Sequence, residues 1–265
     1  MKNKSWYKIE AKADESATVY IYDEIGYWGI TAKDFIREVD ALNVGSISLR
    51  VNSPGGDVFD GIAIYNALNA HPAQVETQID GLAASIASII AMAGDKITIA
   101  KNAFFMIHNA WAVSIGDAEA MRKMSDVLDK IDTTLVKTYA ERTGQSQRNI
   151  RQMMGAETWM NADEAIERGF ADQVTEETGA KAAFDLSKFR NVPKDINTSR
   201  EVADERTLEK ALRDAGLSQI AAKAAISAAK SVVRRDDGDE SGAAEEFLTN
   251  LEITNLINKF QGDKT

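Results

Sequence analysis

The chain has 265 residues, 44% hydrophobic and 27% charged, enough for one substantial core and an appendage. Its formal net charge of -10 argues against a phosphate-backbone binder, which needs a clustered basic face. With no cysteine and only two histidines, a disulfide framework and a thiolate metal site are excluded, zinc has little to bind, and the chemistry falls to oxygen and nitrogen groups.

Met1 to Trp6 lacks the apolar stretch of a secretory signal. The longest apolar run, Ile86 to Gly94, is broken by Ser88 and is too short to span a bilayer, so a cytoplasmic protein without membrane contact is expected. Ala17 to Tyr22 has the β-branched and aromatic bias of a strand. Thr31 to Leu42 carries Phe35, Val39 and Leu42 at helical spacing, and Ser46 to Val51 reads as a second strand. That order predicts a parallel βαβ unit. The turn-rich Asn52-Ser53-Pro54-Gly55-Gly56-Asp57 then sets two glycines at a strand-to-helix crossing, before helical periodicity from Val58 to Leu68.

The plan repeats with a strand at Val75 to Ile79, a turn at Gly81 and a small-residue helix from Ser85 to Ala93, which places Ser85 at or near a helix N-terminus. Strands at Lys96 to Ala100 and Phe104 to Ile107 follow, with His108 where the second gives way to loop. Ala118, Met121, Met124, Leu128, Ile131 and Leu135 mark one face of a long helix from Asp117 to about Arg142, an element suited to packing on a partner subunit. Gly144 fits a left-handed cap and Ser146 the start of the next helix. Beyond Glu157 come a short strand and an asparagine-capped helix reaching Gly169.

From Glu176 the composition turns small and polar. The expected division is a catalytic domain over 1–175, a linker over 176–202 and a helical or disordered extension over 203–265. Helices are predicted there at about 204–214, 218–233 and 247–260, with a charged, glycine-bearing stretch before the last.

Ser85 lies in the run Gly81-Leu82-Ala83-Ala84-Ser85-Ile86-Ala87-Ser88. Alone it reads as a close-packing position, and His108 alone as a partly buried strand-end side chain. Together with Gly55-Gly56 they supply a nucleophile, a base able to take its proton near neutral pH, and backbone N–H groups free to aim at an oxyanion. His71, before Pro72, reads as a loop residue without a catalytic partner. Asp57 reads as a helix cap, and Met121 and Met124 as a core or subunit-facing stripe.

Asn52-Ser53-Pro54-Gly55-Gly56, Gly81-Leu82-Ala83-Ala84-Ser85-Ile86, Met106-Ile107-His108 and Thr143-Gly144-Gln145-Ser146 resemble, in order and approximate spacing, the Clp protease proteolytic subunit family of serine peptidases, over about 17–175. The resemblance implies an α/β fold of the ClpP/crotonase type built of repeated βαβ units. It also implies Ser85 as nucleophile, His108 as general base, and the backbone N–H groups of Gly56 and Ile86 as the oxyanion hole, with no metal or organic cofactor. The family's triad aspartate falls on Glu157, one methylene longer. Asp163, Asp172 and Asp132 remain alternatives for the third member.

The chain has neither a P-loop nor a nucleotide-binding glycine fingerprint, so any ATP-driven unfolding falls to a separate AAA+ ATPase. The resemblance therefore leaves two roles: the degradative subunit of an ATPase-fed ring protease, or a maturation protease of tailed-phage proheads acting on capsid or scaffold protein. Glu157, Thr158 at the place of an arginine used in ring-to-ring contacts, and the C-terminal extension favour the second. In that extension Leu212-Arg213-Asp214-Ala215-Gly216-Leu217-Ser218, followed by Ala222-Lys223-Ala224, resembles the tail of the phage proteins. The expected setting is the host cytoplasm or an assembling procapsid, and the expected assembly a homo-oligomeric ring. Rival readings are the signal peptide peptidases, which use a Ser-Lys pair and a membrane anchor, a crotonase binding coenzyme A, and an inactive scaffold that binds coat protein.

Overall fold

A computed structural model describes residues 5–12, 15–26, 31–179, 184–193, 196 and 223. The chain divides into two units, Met1–Thr198 and Ser199–Thr265. The helices expected at 204–214, 218–233 and 247–260 lie outside the described residues, Lys223 excepted.

The first unit is α/β. In chain order it runs β1 (Tyr7–Lys12), β2 (Ser16–Ile21), α1 (Ala32–Asp40), β3 (Ser46–Ser53), α2 (Val58–Ala70), β4 (Gln74–Ala84), α3 (Ile86–Ala91), β5 (Lys96–Ala100), β6 (Phe104–Ile107), α4 (Ala118–Thr143), α5 (Gln147–Gly155), β7 (Thr158–Asn161), α6 (Ala162–Glu167) and β8 (Gln173–Thr175). The strands form an eight-stranded sheet of order β1-β2-β3-β4-β5-β8, with β6 joined to β4 and β7. From β2 to β8 that main path is parallel, as the predicted βαβ units require, and β1 adds an antiparallel edge that the sequence reading omitted.

The central strands carry Ile47, Leu49, Val51, Val75, Ile79, Ile97 and Ile99 into one buried cluster, where Phe35 and Val39 of α1 and Ile64 and Leu68 of α2 join them. Burial of this apolar surface is the main stabilising term, at roughly 25 cal/mol per Å². A charged group in this layer is compensated: the buried Asp80 carboxylate takes a two-pronged hydrogen bond from Arg50 at 2.5 and 2.7 Å and a third from the Tyr22 hydroxyl.

The helix ends follow the sequence signals. Asp57 caps α2 by accepting from the Phe59 and Asp60 N–H groups, Asp117 caps α4 through Ala120, and Ser146 caps α5 through Asn149. Gly144 closes α4 at φ +70°, and Asn161 with Glu164 forms a capping box on α6.

One boundary differs in a way that bears on the site. Gly81 is not a turn: β4 continues through it to Ala84 and switches partner on the way. Glu76 to Ile79 pair with β5, whereas Leu82 to Ala84 pair with β6, and the register with β3 shifts between Val51 and Ser53. The sheet forks where the small residues begin.

The stretch expected to be a linker is packed over part of its length. Leu186, Phe189 and Ile196 are buried in a second cluster with Leu82, Ala84 and Met106. Among the described residues no helix is long and apolar enough to cross a membrane.

Candidate active site

The fork in the sheet builds the site. In the β4–β6 pair Ala84 stands opposite Met106, and the Ser85 N–H donates to the Met106 carbonyl at 3.1 Å. Ser85 follows the end of β4 and His108 the end of β6, two parallel neighbours that finish at the same edge. Their side chains meet, with Ser85 Oγ 2.7 Å from His108 Nε2. When Nε2 is unprotonated the hydroxyl donates to it, the arrangement from which imidazole removes the proton.

Ser85 sits at φ +55°, ψ -130°, a region costly for a residue with a Cβ. The surroundings hold it there. Ser88 Oγ donates to the Ser85 carbonyl at 2.5 Å and itself lies 2.7 Å from the Tyr139 hydroxyl, so α4 braces the turn from beneath. Burial, only partly offset by the Ser88 contact, pushes the Tyr139 phenol well above its ordinary value, keeping it a neutral partner. Nothing in the sequence reading singled out Ser88 or Tyr139.

The glycine loop closes against the serine. A Cβ on Gly55, at φ +98°, would lie 2.7 Å from Ser85 Cβ and 3.1 Å from its Oγ, so only glycine fits. The loop is pinned on its other side, where the Ile25 N–H donates to the Gly55 carbonyl at 2.8 Å and the Asp57 N–H to the Ile25 carbonyl at 3.0 Å. Gly56 and Ile86 both border the cleft beside Ser85. Ile86 opens α3, where the first N–H groups of a helix lack intrahelical partners.

The cleft encloses about 340 Å³ and runs from Ser85 and His108 to an apolar wall that includes Val58, Met124, Leu128, Ile131 and Leu135. Four of those five belong to α4. Met124 thus faces the cleft, while Met121 is an exposed surface residue. His71 lies apart in the α2–β4 connection, its Nδ1 accepting from the Ala73 N–H at 3.1 Å.

Glu157 is buried just before β7 and adopts φ +50°. Its Oε1 accepts from the Asn191 N–H at 2.7 Å and from the Trp159 indole at 3.3 Å, and Oε2 lies 3.7 Å from Arg190 Nε. Among the described residues no hydrogen bond joins Glu157 to His108, although each influences the other's charge. Burial lowers the His108 pKa from its ordinary value; Glu157 opposes this, while Lys188 and Arg190 reinforce it. Burial pushes the Glu157 carboxyl up, but the N–H groups of Asn191 and Arg190, the Trp159 indole and His108 together hold it below its ordinary value.

The other acids are engaged elsewhere. Asp132 accepts from the Ala110 N–H at 2.7 Å, Asp172 accepts from the Ile97 N–H and pairs with Arg142, and Asp163 is exposed. Thr158 donates to the Met153 carbonyl at 2.7 Å and so ties β7 to the end of α5. Lys188 and Phe189 also line the cleft, and sequence reasoning missed them. The signal was present in Phe184, Leu186 and Phe189, three large apolar residues close together in a stretch read as a linker.

Among the described residues no group of three His, Asp or Glu side chains is placed to hold a metal ion. The family model for Clp protease matches residues 1–178. The ATP-dependent Clp protease proteolytic subunits of Streptococcus pneumoniae strains Hungary19A-6 and JJA are each 36% identical to this chain over 132 residues, which is 48% of this chain and 67% of theirs. Both partners of the 2.7 Å serine–histidine contact fall inside the matched span, and the chain accordingly belongs to the Clp protease family and is a serine-type peptidase.

Proposed function

We propose that the chain is an endopeptidase with Ser85 as nucleophile, His108 as general base and Glu157 as the third member, and that it matures phage proheads by cleaving capsid or scaffold protein. The observation that carries the catalytic part is the 2.7 Å contact between Ser85 Oγ and His108 Nε2. Ser85 Oγ attacks the peptide carbonyl carbon as its proton passes to His108, and the Gly56 and Ile86 N–H groups bind the oxyanion. The C–N bond breaks as His108 returns that proton to the leaving amine. Water activated by His108 then hydrolyses the acyl-enzyme and restores Ser85. The cleft's apolar wall favours substrates with an apolar side chain beside the scissile bond.

The maturation role rests on the length of chain beyond the matched residues 1–178, on Glu157 in the aspartate position and on Thr158, which spends its hydroxyl within its own subunit. A division into catalytic domain, connecting stretch and extension goes with it. A homo-oligomeric ring is supported by exposed Trp111, Val113 and Ile115 between β6 and α4, apolar surface of the kind that marks subunit contacts. The relatives are named as subunits of an ATP-dependent protease, which favours a second reading in which a separate ATPase feeds a degradative ring.

The test is a fluorophosphonate probe on the wild-type chain and Ser85→Ala, followed by co-expression of each with the products of neighbouring genes. The expected result is labelling and a truncated capsid or scaffold protein with the wild type only. Undiminished cleavage by Ser85→Ala would sink the assignment, and degradation to small peptides only when an AAA+ ATPase is present would select the second reading.

A further inference from the structure

Residues 184–193 lie beyond the span matched by the family model, yet they contact both His108 and Glu157. Leu186 and Phe189 are buried against Leu82, Ala84 and Met106, residues of the two strands that present Ser85 and His108. The Phe189 ring meets the His108 ring edge-on, with centroids 5.5 Å apart, and meets Trp159 in the same manner at 5.6 Å. Beyond it, the N–H groups of Arg190 and Asn191 both bond the Glu157 carboxylate, and Asn191 Nδ2 donates to the Ala156 carbonyl at 2.9 Å. Lys188 pairs with Glu24 at 2.7 Å, and both line the cleft.

We propose that this segment is a positioning strap for the catalytic pair: Phe189 fixes the His108 ring, and the backbone at Arg190 and Asn191 fixes the Glu157 carboxylate. The inference rests on the assignment of Ser85 and His108 above. A glutamate has one more rotatable bond than an aspartate, so its carboxylate needs more restraint to hold one position. Two backbone donors from the strap and the Trp159 indole provide that restraint. The imidazole gains a rigid apolar neighbour that excludes water from its edge. The strap does not obstruct the chemistry, because the serine–histidine contact is already formed beneath it and the cleft beside it stays open.

A positioning role and a merely structural one differ in their pH dependence. The charged groups facing His108 are Glu157, Lys188 and Arg190, and all three remain in a Phe189→Ala variant of the full chain. Opening the ring to water should return the His108 pKa toward its ordinary value, so the acid limb of Ser85 labelling moves to higher pH. The expected result with a fluorophosphonate probe is labelling slower than wild type by up to about fourfold near pH 6 and much closer to it near pH 8. Phe189→Leu, which keeps an apolar cover, should restore most of the limb. Three results overturn the strap while leaving the peptidase site standing: unchanged labelling in Phe189→Ala, faster labelling as expected of a mere cover, or slowing by one factor at every pH with a lowered Tm. Failure of the wild-type chain to label at Ser85 overturns the site assignment and the strap together.

Discussion

Ser85 Oγ and His108 Nε2 lie 2.7 Å apart because β4 and β6 are hydrogen-bonded parallel neighbours with Ala84 opposite Met106. The two side chains are thus brought together by the register of one strand pair, and the fork of β4 away from β5 makes that pairing available. Anything that shifts this register moves both atoms at once.

The proton acceptor sets the pH profile. If His108 is the base it acts only when neutral, and burial lowers its pKa, so kcat/KM for a fluorogenic peptide should reach half of its plateau below pH 6.5. Stability runs in the same direction. A histidine lowered in the folded state contributes stability that is complete above about pH 6.5 and lost as pH falls through the folded value. Glu157, also lowered, extends the loss below about pH 4.5. A rate that keeps rising through pH 8 would contradict the lowered base.

Glu157→Gln keeps an acceptor for the Asn191 N–H but removes the charge that stabilises imidazolium. The expected loss is about 10² to 10⁴ in kcat with KM little changed, measured by steady-state peptide hydrolysis. Glu157→Asp restores the charge in a residue better suited to φ +50° and should retain far more activity than the glutamine variant. Equal activity in all three proteins would remove Glu157 from the mechanism.

Two glycines give an internally controlled comparison. Gly55→Ala forces a Cβ to within 2.7 Å of Ser85 Cβ at φ +98°, and should cost about 2 kcal/mol or more along with most of the probe labelling. Gly155→Ala meets nothing within 4 Å and should be neutral or stabilising by up to ~1 kcal/mol. Urea unfolding of both variants reads the difference.

Arg50→Ala leaves the buried Asp80 carboxylate with the Tyr22 hydroxyl as its main side-chain partner. Breaking a fully buried pair costs about 3 to 5 kcal/mol, and because Arg50 is itself a third exposed, about 2 kcal/mol is expected here. Chemical denaturation measures it, and probe labelling at low denaturant should persist.

Much of this was legible in the chain itself. The β-branched run at 17–22, the helical spacing of Phe35, Val39 and Leu42, and the caps at Asp57, Ser146 and Gly144 are local signals, and the elements form where they point. The glycine pair and the small residues around Ser85 marked the Ser85 turn because a close backbone approach admits few residue types. Edge strand β1 escaped because half-exposed Tyr7–Ala11 has a partner only once β2 is in place. The turn expected at Gly81 became strand because pairing with β6 outweighs the weak strand preference of glycine and alanine.

The sequence alone determined the α/β class and the order of the elements after β1, and it singled out Ser85 and His108, since each depends on periodicity or on residue types adjacent in the chain. Only the tertiary structure decided that Ser88 and Tyr139 brace the Ser85 turn, that Glu157 is held by Trp159, Arg190 and Asn191, and that Phe189 covers His108. Those contacts join residues remote in sequence, whose approach depends on how the sheet forks and where residues 184–193 return. Local propensity carries no record of either.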